Sequence, residues 1–297
     1  MSRMMLSRLF FLCCLSLPAF SQPCPDKPYP QPDFSAATRQ KLEQQLQEAW
    51  TDYARDSSLP DAMIWYGRRL AYLGRYSEAI RVFGRGVQLH PGDARFLRHR
   101  GHRYITLRCN QAAIADFTRA AAVEKGRPDQ VEPDGMPNAR NIPTSSLQTN
   151  IYYHLGLAYY LERDFTRAAE AWKACRERSD NPDMYMAAAY WGYISLRRAG
   201  RPQQADSLLT GLDTKAQLIE NEDYYTLLML YRGIQTEAVV LEKLQPAAGG
   251  LSNATTGYAL GVYYLLKGDA DRAKKLWKQV LEGGQWGSFG YIAAEKE

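Results

Sequence analysis

Residues 149–182 read TNIYYHLGLAYYLERDFTRAAEAWKACRERSDNP. Tyr152, Leu155, Gly156 and Tyr159 fall at i, i+3, i+4 and i+7, one stripe of an α-helix. Ala168, Trp172 and Cys175 make a second stripe on a second helix. The small residues Gly156 and Ala168 let the two helices approach, and the large Tyr159 and Trp172 fill the space between neighbouring pairs. A helix pair of this kind leaves one apolar face open, so it must stack on further pairs.

The same spacing recurs on both sides of this stretch. Upstream stand Gly67, Gly74, Tyr76, Ala79, Phe83 and Pro91. Thirty-four residues after Gly67, Ala79 and Phe83 come Gly101, Ala113 and Phe117, joined by Tyr104 and Ala120. Downstream, Leu260, Gly261, Tyr264, Gly268, Ala273 and Trp277 repeat the pattern. Weaker copies hold Trp191, Gly200 and Ala205, then Tyr224, Leu228, Gly233 and Ala238. Six helix pairs are expected, near 60–93, 94–127, 149–182, 186–219, 219–252 and 254–287.

With these positions recurring together, the chain resembles the tetratricopeptide repeat superfamily, and more narrowly its secreted bacterial members without an assigned activity, around PNARNIPTS and FGYIAAE. It departs from the family pattern at the opening tryptophan, replaced by Met63, Leu97 or Tyr152, and at the closing proline, kept clearly only as Pro91. The resemblance implies an all-α, right-handed solenoid whose first helices line a concave binding face.

Composition agrees with a globular chain: 297 residues, 45% apolar, 23% charged, with a formal charge of +5. Residues 1–21 carry Arg3 and Arg8, a short apolar core from Leu9 to Leu17, and small residues at Ala19 and Ser21. This is the pattern of a secretory signal, and its core is too short to span a membrane. Export to the periplasm or beyond is expected, with Gln22 first after cleavage. No small residue precedes Cys24 or Cys13, so a soluble product is expected rather than a lipid-anchored one. Cys24, Cys109 and Cys175 then remain, enough for one internal pair at most. No Cys-x-x-Cys occurs, and Cys109 and Cys175 read as buried, inert thiols.

The proline-rich segment 22–34 is expected to be extended, and 35–58 to be a helix capping the first repeat. Residues 60–127 form the two basic repeats, 128–148 an insertion, 149–287 the remaining four repeats and 288–297 a C-terminal cap. The insertion contains Pro128, Pro133, Pro137 and Pro143, which exclude a long helix. An ordered flap beside the concave face and a tolerated surface insertion both remain open. Asp129, Glu132 and Asp134 lack the spacing of a calcium loop.

Projected on the implied concave face are Arg68, Tyr72, Arg95, Arg98, His99, His102, Tyr153, His154, Tyr160, Tyr190, Trp191 and Arg197. Residues 60–127 hold thirteen Lys or Arg against five Asp or Glu, whereas 149 onward holds seventeen against eighteen. A basic half beside an aromatic half suits an extended or anionic partner, such as an acidic peptide, a carboxyl terminus or an anionic glycan. The family's carboxylate clamp is not reproduced, since Ile64, Arg68, His99, Asn150 and His154 occupy the relevant positions. Export and the lack of a sustained Lys/Arg run speak against nucleic acid.

No Gly-x-Ser-x-Gly, His-Glu-x-x-His or phosphate-cradling glycine loop occurs. No catalytic residue, metal ligand set or cofactor is therefore expected, and the chain reads as a protein-interaction module. The competing readings are an enzyme or small-ligand binder, with the insertion closing over His99, His102 and His154, and a structural spacer in an envelope complex.

Overall fold

The computed structural model describes residues 24, 25, 27–244 and 251–297; the expected signal segment lies outside them. The described residues contain fourteen helices and no strand beyond a single bridge between Val131 and Ser146. No described helix is long and apolar enough to cross a membrane.

After α1 (Ala36–Arg55) come six helix pairs: α2 (Pro60–Tyr72) with α3 (Tyr76–Leu89), α4 (Ala94–Thr106) with α5 (Asn110–Glu124), α6 (Leu147–Leu161) with α7 (Phe165–Arg176), α8 (Pro182–Arg198) with α9 (Pro202–Thr210), α10 (Glu222–Tyr231) with α11 (Glu237–Glu242), and α12 (Leu251–Leu266) with α13 (Ala270–Glu282). A short α14 (Phe289–Ala294) follows. The first helices of successive pairs touch from α2 through α12 and form one layer, with the second helices packed outside it. The molecule is a helical solenoid, and α1 covers the open face of α2.

One contact explains the stacking. A Cβ placed on Gly67, Gly101, Gly156 or Gly261 would lie 2.5, 2.8, 2.6 or 2.2 Å from Phe83, Phe117, Trp172 or Trp277. In each pair the aromatic stands sixteen residues after the glycine and lies against its backbone. Phe83, Phe117 and Trp172 are essentially sealed from solvent. At about 25 cal/mol per Å² of apolar surface, these rings are a leading source of packing energy.

The turns between paired helices repeat as well. Gly74, Gly200, Gly233 and Gly268 hold φ between 71° and 86°, and the same turn in the second and third pairs places Arg108 (φ 63°) and Arg163 (φ 60°) there instead. Two arginines therefore occupy a left-handed conformation that costs a side chain about 1–2 kcal/mol.

The C-terminal segment does more than cap the last pair. Helix α14 packs on α12 and α13, and its Phe289 side chain also reaches the second and third pairs at His102 and His154. Arg108 donates to Glu295, and its guanidinium lies 3.8 Å from the centre of the Trp286 ring. Trp286 also meets Tyr76 and Tyr29. Farther along, Glu297 accepts hydrogen bonds from Arg198 and Tyr258. The inner layer is thus partly filled by the chain's own final residues.

The cysteine expectation is corrected at one position. Cys109 is bonded to Cys24, with Cα atoms 5.7 Å apart, because the proline-rich segment runs back along the first two pairs. Tyr29 and Cys24 pack into the same apolar cluster as Tyr76 and Trp286. Cys175 stays a buried free thiol, its pKa pushed up to about 12 by burial.

Candidate functional site

Residues 128–146 form an ordered flap. Backbone hydrogen bonds from Glu132 to Ser145 and from Leu147 to Gln130 close its base. Asp129 accepts from the Ser146 hydroxyl and the Gln148 amide. At the tip the Asn138 side chain bonds the backbone of Arg140 and Ile142 and so builds its own turn. Two arginines of α2 hold the flap down: Arg68 donates to the Pro133 carbonyl at 2.8 Å and Arg69 to the Gly135 carbonyl at 2.9 Å. Gly135 lies so close to Tyr72 that a Cβ would sit 1.8 Å from its hydroxyl.

Between the flap, the first-layer helices and α14 lies a cavity of about 320 Å³. It gathers seven of the twelve residues projected from the sequence: Arg68, Tyr72, Arg98, His99, His102, Tyr153 and His154. They come from α2, α4 and α6 because the repeat returns the same helical face at each pair. The flap adds Glu132 and Asp134, the segment before α10 adds Glu220, and α14 adds Phe289. The Phe289 ring centre stands 5.4 Å from His102 and 5.5 Å from His154.

Charge in this cavity is unevenly paired. Arg98 meets Glu132 at 2.9 Å, and both are buried. Glu132 also accepts from Asn150 at 3.1 Å and lies 3.6 Å from His99. Arg68 has the Tyr72 hydroxyl, the Pro133 carbonyl and the Trp65 ring, but no carboxylate. Arg103 makes no hydrogen bond or ion pair to any described residue; its guanidinium lies 6.0 Å from the centre of the Tyr76 ring. Burial, with Arg98 and Arg68 nearby, lowers the Arg103 pKa to about 10.

The three histidines are neutral imidazoles. Burial holds each well below its ordinary value, and the neighbouring arginines push the same way. His154 has its Nδ1 2.7 Å from the Asn150 carbonyl, and the His102 and His154 rings are 4.4 Å apart. Among the described residues no group of three or more His, Cys, Asp or Glu is placed to hold a metal ion. Asp134 is shifted the other way: burial, aided by Glu220, raises it, and its Oδ2 is buried without a partner.

Five projected residues lie elsewhere, and their assignment to a binding face is corrected. Tyr190 and Trp191 are each 1% exposed, because α10 and α12 cover the fourth pair; the Trp191 indole N–H donates to the Tyr224 hydroxyl. Tyr160 is buried against Tyr258 and receives a 2.7 Å hydrogen bond from Arg198. Arg95 is neutralised by Asp93 and Asp61 in a separate depression beside α1. Arg197 sits with Tyr193 and Asp206.

Residues 60–102 match the family model described as the tetratricopeptide repeat. The matched segment carries the Gly67–Phe83 contact, which the second, third and sixth pairs repeat, and the glycine turn at Gly74, which the fourth, fifth and sixth repeat. Over these residues the chain is similar to a tetratricopeptide repeat. Two solved structures are similar to this chain. One is YrrB, described as a tetratricopeptide repeat protein with an unusual peptide-binding site, 14% identical with a TM-score of 0.44, over 79% of this chain and 91% of that one. The other is a Podosopora anserina putative kinesin light chain with nearly identical repeats, 17% identical with a TM-score of 0.44, over 76% of this chain and 94% of that one. Among curated proteins, none matches the sequence. A tetratricopeptide fold is that of a protein-interaction module.

Sequence reasoning passed over Arg103, Glu132, Asp134, Glu220 and Phe289 as parts of one site. Arg103 did carry a signal, because it stands thirty-four residues after Arg69 on the same repeat face. The acidic residues and Phe289 reach the cavity only through the path of the flap and of the chain's last residues.

Proposed function

We propose that this chain is an exported binding module that takes an anionic group of a protein or peptide partner into the cavity under the flap, and performs no chemistry on it. One observation carries the reading: Arg68, Arg98 and Arg103 converge on the cavity, and of the three only Arg98 has a carboxylate partner in contact. A partly buried guanidinium without a protein acceptor is a strong site for a carboxylate, which it can bind through two parallel hydrogen bonds. Neutral His102 and the Tyr72 hydroxyl stand beside it as further donors. The expectation of export rests on residues 1–21 and is supported by the Cys24–Cys109 bond, which suits an oxidising compartment.

The test is fluorescence anisotropy of labelled acidic peptides on the full mature chain and on Arg103→Ala. Tetratricopeptide capture through this cavity predicts at least a tenfold weaker Kd for the variant, and a wild-type Kd that weakens with salt. Equal affinity of the two proteins overturns the cavity as the site. The three-histidine small-ligand reading shares this place, and its own sign would be turnover lost in His102→Gln.

A further inference from the structure

The cavity has two unsatisfied poles, not one. Its charged lining comprises three arginines (Arg68, Arg98, Arg103) and three carboxylates (Glu132, Asp134, Glu220), which balance in number but not in place. Arg103 feels Tyr76, Tyr72, Arg98 and Arg68, and no carboxylate ranks among its main influences. Asp134 feels Glu220, Arg68, Glu132 and Arg98, and Arg103 is not among its main influences. Arg98 and Arg68 bond Glu132 and Pro133, the flap residues next to Asp134, whereas Arg103 stands five residues farther along α4. At one pole the Arg103 guanidinium has no acceptor. At the other the Asp134 Oδ2 is buried without a donor, and Glu220, which lines the same cavity, has as partners the neutral Thr144 and Asn138.

A purely anionic guest would satisfy Arg103 and leave two carboxylates confronting each other beside Asp134. A guest carrying a cation as well satisfies both ends and adds no net charge to the partly buried cavity. Part of the wall is apolar and aromatic, with Met184, Ala187, Tyr153 and Phe289. About 320 Å³ is space for a small molecule, not for a folded element of a partner. Met136 and Glu220 line the cavity and are themselves exposed.

From this geometry we infer that the cavity binds a small zwitterion of the amino-acid class, with its carboxylate on Arg103, its ammonium between Asp134 and Glu220, and its side chain against Met184 and Phe289. This rests on the reading of the cavity as the binding site, and puts a free amino acid there in place of a peptide's anionic group.

The experiment uses the full mature chain. Thermal shift with each of the twenty proteinogenic L-amino acids at about 10 mM, well above a Kd in the usual small-ligand range, selects the strongest ligand. Calorimetry then compares that amino acid with its deaminated acid and its decarboxylated amine, on wild type, Arg103→Ala and Asp134→Asn. The inference predicts a raised Tm for at least one amino acid, and at least tenfold weaker binding for each single-charge analogue. It also predicts that Asp134→Asn narrows the gap to the deaminated acid and Arg103→Ala the gap to the amine. Equal binding of the deaminated acid overturns the zwitterion and leaves an anion site standing. No shift with any amino acid overturns the inference, while acidic-peptide anisotropy still decides by itself whether the cavity binds an anion. Circular dichroism of both variants separates lost binding from lost folding.

Discussion

Arg108 donates two hydrogen bonds to the carboxylate of Glu295, at 2.7 and 2.9 Å, from a backbone conformation that four other repeats reserve for glycine. Strain at a turn and grip on a distant segment thus meet in one residue. Arg163 does the same one pair later, donating to the Lys296 carbonyl. Both arginines hold the C-terminal segment whose Phe289 walls the cavity, so the strain is sited where a glycine could not reach.

Substitution at Arg108 separates the two effects. Arg108→Gly removes the grip and the strain together, whereas Arg108→Ala removes the grip and keeps the strain. The alanine variant is expected to be less stable than the glycine variant by about 1 kcal/mol in urea denaturation. Both should speed amide exchange in residues 289–294. Equal stability of the two would show that the turn stores no strain.

The Cys24–Cys109 bond closes a loop with a sequence separation of 85. A loop of that order restricts the unfolded chain strongly, and its loss costs about 2–4 kcal/mol. Cys24→Ser is expected to lower the urea midpoint accordingly, and wild type under a dithiol reductant should fall to the same value. Cys175, buried and with its thiol pKa raised, should resist alkylation until the chain unfolds. An unchanged midpoint after reduction would mean that the strap is held by Tyr29 and its neighbours alone.

The repeat could be read from the sequence because its decisive contact is local: a glycine and an aromatic sixteen residues apart must meet if two adjacent helices pack. The same regularity brought Arg68, His102 and His154 to one place. It failed at Trp191 and Tyr190, since helical register gives a face but not what later helices lay over it; Tyr224 and Tyr258 come from α10 and α12. It failed also for Phe289, which meets His102 from far along the chain by no periodicity. The pairing of Cys24 with Cys109 was equally hidden, because three cysteines allow several partners and only the path of residues 24–34 selects one.

Close contact at glycine makes a sharper stability test. Gly156→Ala would press a methyl group to 2.6 Å from the Trp172 ring, which is sealed in the core and cannot retreat. A loss of about 1–3 kcal/mol is expected, read as a lower urea midpoint with unchanged m. Gly135→Ala differs in kind. Its methyl would strike the Tyr72 hydroxyl under the flap, so the flap should lift while the solenoid keeps its stability. The observable is faster amide exchange in residues 130–136 with a Tm close to that of wild type. A Tm fall as large as that of Gly156→Ala would show the flap to be part of the core.

Stability should also fall with pH, and the sign follows from the histidines. His99, His102 and His154 are held neutral by burial, with folded values well below the ordinary one. Above pH about 6.5 neither the folded nor the unfolded chain protonates them, so they contribute nothing to the pH dependence. As pH falls through that value, the unfolded chain takes up protons that the folded chain refuses, and unfolding is favoured by about 1.4 kcal/mol per pH unit for each histidine. Three such groups give a combined slope of up to about 4 kcal/mol per pH unit at pH below about 6. The repulsion from Arg98 and Arg103 acts in the same direction, so it extends the loss to lower pH. Urea midpoints at pH of about 7.5, 6.5 and 5.5, which bracket the ordinary imidazole value, measure the slope. His102→Gln, which keeps a polar side chain of similar length against Phe289, should remove about a third of it, one of the three equal contributions. A profile flat across that range would require imidazoles that reach water in the folded chain, and with them a cavity more open than its lining indicates.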